Sequence, residues 1–151
     1  MFNDTSTPLS LLTTRRSGKP RDLVAPGPSP EQLEQMIAIA ARTPDHGKLA
    51  PWRFVIVDDR AALATLITDA YRAERPQAAR TEIESLEQFA HQAPALVVVL
   101  SSPSTTSHIP RWEQELSAGA ATMNLLHAAH AMGFEIGRAR VGKECNRECR
   151  S

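Results

Sequence analysis

Three clusters in this 151-residue chain have residue types and spacing that could do chemistry. The first is Arg15-Arg16-Ser17, two guanidiniums and a hydroxyl ahead of Gly18. Arginine binds phosphate through paired N–H groups. The same basic pair could simply complement a helix dipole from solvent. The second cluster is the loop Pro44-Asp45-His46-Gly47-Lys48-Leu49-Ala50-Pro51 ahead of Trp52. It packs a carboxylate, an imidazole and an ammonium between two prolines, a concentration of polar groups that often marks a functional loop. A capped turn without a ligand is the other reading. The third cluster is His127 and His130, one helical turn apart. Such a pair could hold a metal, but no third histidine or carboxylate stands at a matching spacing on that helix. The expectation is therefore two histidines packing near an interface, and no metal site.

Composition narrows the classes. Apolar residues make up 42% of the chain and charged residues 23%, ordinary for a globular domain. Formal net charge is zero, so the basic excess of a nucleic-acid binder is missing. The longest apolar run, 93–100, is far short of a membrane span. The N-terminus lacks the basic and apolar regions of a signal peptide, and a cytoplasmic location is expected by default. Glycine-rich dinucleotide and P-loop motifs, the nucleophile elbow and H-E-x-x-H are all absent.

The elements that must position these clusters are legible. Thr7-Pro8 starts a short helix with Leu9, Leu11 and Leu12 on one side. Residues 22–30 are proline-rich and extended. Ser29, Pro30 and Gln32 form a capping-box start for a helix carrying Leu33, Met36, Ile37 and Ala40, and Pro44 stops it. Residues 52–57 predict a strand. Asp58 or Asp59 caps a helix whose face is Leu63, Leu66, Ile67 and Ala70. Residues 82–91 predict another, with Ile83, Leu86 and Phe89 or Ala90 inward. The run 95–100 predicts a strand buried on both faces. A long helix over 110–132 follows, its buried stripe expected at Trp112, Leu116, Ala120, Met123, Leu126 and Ala131, and Gly133 ends it.

Four blocks in order resemble the nitroreductase family. They are Leu11-Leu12-Thr13-Thr14-Arg15-Arg16-Ser17, then Ala41-Arg42-Thr43-Pro44-Asp45-His46-Gly47-Lys48-Leu49-Ala50-Pro51-Trp52-Arg53-Phe54. The others are Ala93-Pro94-Ala95-Leu96-Val97-Val98-Val99 and Pro110-Arg111-Trp112-Glu113-Gln114-Glu115-Leu116-Ser117-Ala118-Gly119-Ala120. The resemblance implies an α+β fold, a mixed central sheet surrounded by helices. It implies a homodimer with FMN at the subunit interface, NAD(P)H as co-substrate, and transfer of hydride through the flavin to a nitroaromatic, quinone or similar small acceptor. On it, Arg15, Arg16 and Ser17 hold FMN, Arg42 and His46 reach the flavin of the partner subunit, and Ala128 matches a position associated with the nicotinamide nucleotide. Lys48 is added on electrostatic grounds, because a cation beside the flavin stabilises its reduced anion. The cofactor carries the chemistry, so no catalytic acid–base pair is expected of the protein. The alternatives are a non-catalytic flavin-binding protein and an inactive fragment of the oxidoreductase.

The resemblance covers residues 7–134. The expected domain is 1–134, without the family's C-terminal strand and arm. Residues 135–151, which hold Cys145 and Cys149, read as a foreign tail. Codons permitted there resemble parts of a sequencing-library adapter, so a technical origin is expected. The rival reading, a Cys-x-x-x-Cys metal or redox pair, has only two ligands.

Overall fold

The computed structural model describes residues 2–137. Helix α1 spans Pro8–Thr14, and the Thr7 hydroxyl accepts from the Ser10 N–H at its start. Helix α2 spans Pro30–Ala40 behind the expected capping box. Ser29 Oγ accepts from the Gln32 N–H at 3.2 Å, and Gln32 Oε1 accepts from the Ser29 N–H at 2.8 Å. Strand β1 spans Trp52–Ile56, helix α3 Arg60–Glu74, helix α4 Arg80–His91, strand β2 Val97–Ser101 and helix α5 Arg111–Ala131. Short 3₁₀ turns form at Pro20–Asp22 and His46–Lys48.

The core lies where α2 crosses α5. Met36 and Ala40 pack against Leu125, Ala128 and Ala129, and Phe54, Val97 and Val99 close over them from the sheet. Ala40 and Ala121 are fully buried, because small side chains let helices and sheet approach closely. A second cluster joins Trp52 to Ala118 and Ala121. Helices α3 and α4 pack chiefly on each other, and Arg60 ties α3 to the carbonyls of Ala90 and Pro94.

Three expectations change. β2 pairs antiparallel with β1, with Phe54 opposite Val99 and Val55 opposite Val98. Only one face of this ribbon meets the core. Val55 and Leu100 on the other face are 45% and 48% exposed, so β2 is not buried on both sides. The mixed sheet of the expected α+β fold is represented, among the described residues, by this antiparallel ribbon and a parallel bridge between Gly18 and Gly137. The buried stripe of α5 is also rotated. It runs through Gln114, Ala118, Ala121, Leu125, Leu126 and Ala128 to His130, while Trp112 and Leu116 are exposed. Of the expected positions Leu126 is buried; beside it and Leu125 the inward residues are mostly alanines, whereas a hydropathy pattern favours the larger side chains. On α3, Leu66 likewise faces out, and Ala64 and Thr68 are the buried positions.

Beyond Phe134 the chain turns back beside α1. Ile136 packs on the α2–α5 core, and its carbonyl accepts from the Gly18 N–H at 2.8 Å. Residues 135–137 thus sit with the body in this structure. The remainder of the expected tail, including both cysteines, lies outside the described residues.

Candidate functional site

Among the described residues, the loop between α2 and β1 holds three of the six that take positive φ. Gly47, Lys48 and Ala50 all take positive φ, at 75°, 54° and 47°. The two non-glycine residues there cost about 1–3 kcal/mol each unless the surroundings hold them. Asp45 Oδ2 accepts from the Ala50 N–H at 2.6 Å, bridging the loop from within. His46 Nδ1 lies 2.8 Å from Glu113 Oε2 in the first turn of α5. A carboxylate can only accept, so Nδ1 carries the proton and Nε2 is the nitrogen left to face outward. Gly47 packs against Ile109, where a Cβ would run into Cδ1. Ile109 is held in turn by Gln114, which is 1% exposed. Its Nε2 donates to the Ile109 carbonyl at 2.9 Å, and its Oε1 accepts from the Ser104 N–H at 2.7 Å. Thr43 anchors the other end, accepting from Asn124 Nδ2 at 2.7 Å. Glu113, Gln114, Ile109 and Asn124 were not singled out from the sequence. Their contacts join positions far apart in the chain, and no local pattern signals them.

Arg15, Arg16 and Ser17 follow α1. Arg15 caps the helix C-terminus through its N–H to the Leu11 carbonyl, and its Nη1 donates to Ser17 Oγ at 3.2 Å. The Arg16 guanidinium lies over the Phe2 ring, 5.0 Å from its centroid. Arg15 bears electrostatically on His127 and His130. Burial first and then this guanidinium push both imidazoles below their ordinary pKa, so both favour the neutral form.

The structure therefore brings Arg15, Arg16 and Ser17 together, and separately clamps His46 and Lys48 in one loop with exposed Arg42 at its edge. It does not bring the two groups to one place within the chain. His46 is tied to the first turn of α5, whereas Arg15 faces its last turns, about 20–25 Å away at 1.5 Å per residue. Ala128 is 3% exposed in the core, so its methyl meets Met36 and Ala40 rather than solvent.

On the outer helices, Arg72, Arg75, Arg80 and Arg111 each pair with a carboxylate. Among the described residues, Arg15, Arg16, Arg42 and Lys48 have none within ion-pair distance, and neither have Lys19, Arg21, Arg53 and Arg60. A cleft of about 600 Å³ does open between α3 and α4, lined by Thr68, Arg72, Glu84, Glu87 and His91. None of the expected residues reaches it, and the arginine there is already paired.

Comparison with known proteins agrees with the four sequence blocks. The model of the nitroreductase family matches residues 12–137. A Haemophilus influenzae protein named "Putative NAD(P)H nitroreductase" is 42% identical over 130 residues, covering 84% of this chain and 68% of that one. The Escherichia coli K12 protein named "Putative NAD(P)H nitroreductase YdjA" is 34% identical over 129 residues, covering 83% and 68%. The chain thus spans about two thirds of the length of these relatives. Among solved structures, an FMN-dependent nitroreductase from Clostridium difficile R20291 superposes with a TM-score of 0.61 at 21% identity, covering 86% of this chain and 58% of that one. At that identity the likeness speaks for the fold alone, and it is the α+β nitroreductase fold. On the family match and the 42% identity together, the chain belongs to the nitroreductase family.

Proposed function

We propose that this chain is an FMN-dependent oxidoreductase that takes hydride from NAD(P)H and passes it to a nitroaromatic, quinone or similar small acceptor. The observation that carries the reading is a grouping of side chains: Arg15 and Arg16 beside the Ser17 hydroxyl after α1, and Arg42 at the edge of the strained loop that holds Lys48, all four cations without a carboxylate partner among the described residues. Unpaired guanidiniums beside a hydroxyl suit a phosphate-bearing cofactor, so the residues present fit FMN. The relatives' names, NAD(P)H nitroreductase and FMN-dependent nitroreductase, point the same way.

FMN, when bound, supplies the hydride chemistry. The protein binds and orients it. Arg15, Arg16 and Ser17 hold the phosphate, ribityl chain or pyrimidine edge. Arg42, His46 and Lys48 act on the flavin of a second subunit. Ala128, being buried, serves the nucleotide by its small volume and not by contact. The geometry of α5 supports the reading of a dimeric site. The two residue groups sit at opposite ends of one helix, and an antiparallel pair of such helices sets one copy's first turn beside the other's last. Exposed Trp112 and Leu116 on that helix are offered as the apolar contact of a homodimer. We place the protein in the cytoplasm, and, because Ile136 packs on the body and the family match runs to residue 137, we move the start of the foreign tail from residue 135 to residue 138.

The test is direct. The purified chain is expected to be yellow, to sediment as a dimer, and to oxidise NAD(P)H when a nitroaromatic or quinone is added. A folded chain that dimerises yet takes up no added FMN refutes the flavin assignment, and one that neither dimerises nor takes up FMN favours the inactive-fragment alternative. A yellow protein without turnover favours the non-catalytic alternative.

A further inference from the structure

Among the described residues, His46 is the one histidine of five with a carboxylate at ion-pair distance, Glu113 Oε2 at 2.8 Å from its Nδ1. Arg111, the cation nearest to Glu113 in sequence, is taken by Glu115 at 2.6 Å and leaves Glu113 to the histidine. Glu113 stands in the first turn of α5, where the helix macrodipole favours negative charge. The carboxylate within the loop is engaged elsewhere, since Asp45 Oδ2 accepts from the Ala50 N–H. The backbone beside the ring is also held, because Gly47 packs against Ile109.

These contacts leave His46 with one nitrogen assigned and one open. A neutral imidazole has a single N–H, and the hydrogen bond made at one nitrogen decides which nitrogen carries it. Glu113 draws the proton to Nδ1. Nε2 is then a lone-pair acceptor on a ring whose surface is mostly exposed. Without the carboxylate, Nδ1 faces water, and the ring is free to carry its proton on Nε2 as a donor. Glu113 thus decides what His46 can bind.

We propose that Glu113 is a positioning residue: it holds His46 as the Nδ1–H tautomer, so that Nε2 accepts a hydrogen bond from the flavin. The inference rests on the flavin reading for the identity of the ligand and adds the direction of the bond. An acceptor does not suit the phosphate or the ring carbonyls of FMN, which offer lone pairs. It selects an N–H or O–H group, and FMN has two kinds, the ring N3–H and the ribityl hydroxyls. No covalent step is involved, and no proton changes hands.

The first measurement needs no ligand. In the full chain at pH 8, above the ordinary titration of imidazole, the ring nitrogen NMR signals of His46 are expected to show a protonated Nδ1 and a bare Nε2. Glu113→Ala should move the Nε2 signal toward the protonated range. The variant is expected to fold, because an exposed pair adds little to stability. A wild-type His46 protonated on Nε2, or ring signals indifferent to Glu113→Ala, overturns the proposal. The second measurement is FMN affinity, read by quenching of flavin fluorescence. Glu113→Ala is expected to weaken it about five-fold, the loss of one neutral hydrogen bond, and to cost nothing further in a His46→Ala background. Equal affinity in wild type and Glu113→Ala overturns the proposal, as does the same loss in both backgrounds. N3-methyl-FMN then identifies the donor. If Glu113→Ala no longer weakens binding of this analogue, the donor is N3–H; if the loss persists, it is a ribityl hydroxyl. A locked tautomer in a dimer that takes up no FMN sinks the flavin reading and leaves Glu113 in control of the ring. FMN uptake with His46 indifferent to Glu113 does the reverse.

Discussion

His46 Nδ1 and Glu113 Oε2 meet at 2.8 Å and join the α2–β1 loop to the first turn of the longest helix. Both partners are partly solvated, with 65% and 30% of their side-chain surfaces exposed. Their value to overall stability is therefore small, about 0.2–1 kcal/mol for an exposed pair. Glu113→Gln is expected to leave the urea midpoint nearly unchanged and to weaken flavin binding several-fold by freeing His46. Parallel urea and flavin titrations check both halves. A large loss of stability with flavin affinity intact would count against the positioning role.

Gly47→Ala should act on the fold of the same loop. The position has φ of 75°, and an added Cβ meets Ile109 Cδ1. A left-handed conformation costs an L-residue roughly 1–2 kcal/mol. The expected outcome is a destabilisation of at least that size, read as a lower urea midpoint at constant slope.

Gln114→Leu keeps the volume of a side chain that is 1% exposed. It strips partners from the Ser104 N–H and the Ile109 carbonyl. Buried groups left unsatisfied cost about 1–3 kcal/mol each. Thermal melting should fall accordingly, and the loop around Gly47 should gain hydrogen exchange, because Ile109 is its prop.

Lys48→Met removes an exposed ammonium that has no carboxylate partner among the described residues. If that charge stabilises the reduced flavin, the midpoint potential of the bound cofactor drops. A loss of about 1.4 kcal/mol corresponds to about 30 mV for a two-electron couple. Spectroelectrochemical titration of the variant reads the shift, and an unchanged potential removes Lys48 from the site.

Acid should destabilise the ligand-free protein through His127 and His130. Both have folded-state pKa values below the ordinary 6.5, from burial first and then from Arg15. The unfolded chain therefore binds protons first as pH falls. Above pH 6.5 neither state is charged at these groups, and no penalty exists. Below it stability declines, until the depressed folded-state values are reached. Urea midpoints measured from pH 7.5 to 5 should fall, and less so in His127→Gln.

Much of this molecule was legible in order along the chain. The Ser29 capping box, the Asp59 cap of α3 and the strand at Trp52 are local signals, set by backbone groups a few residues apart. The blocks from Leu11 to Ser17 and from Ala41 to Phe54 carried the family, and its model matches across both. Partnership was not legible. Apolarity marks Val97, Val98 and Val99 as strand, but cannot say that only one face is covered. It marks Trp112 and Leu116 as apolar, yet the inward face of α5 is built of four alanines, two leucines, a glutamine and a histidine. The clamp on the candidate loop depends on Glu113, Gln114 and Ile109, which come within reach only when α5 lies beside it. Residue chemistry and local backbone preference belong to the sequence itself. Which nitrogen goes without a partner, and which cation without a carboxylate, was decided by packing between elements distant in the chain.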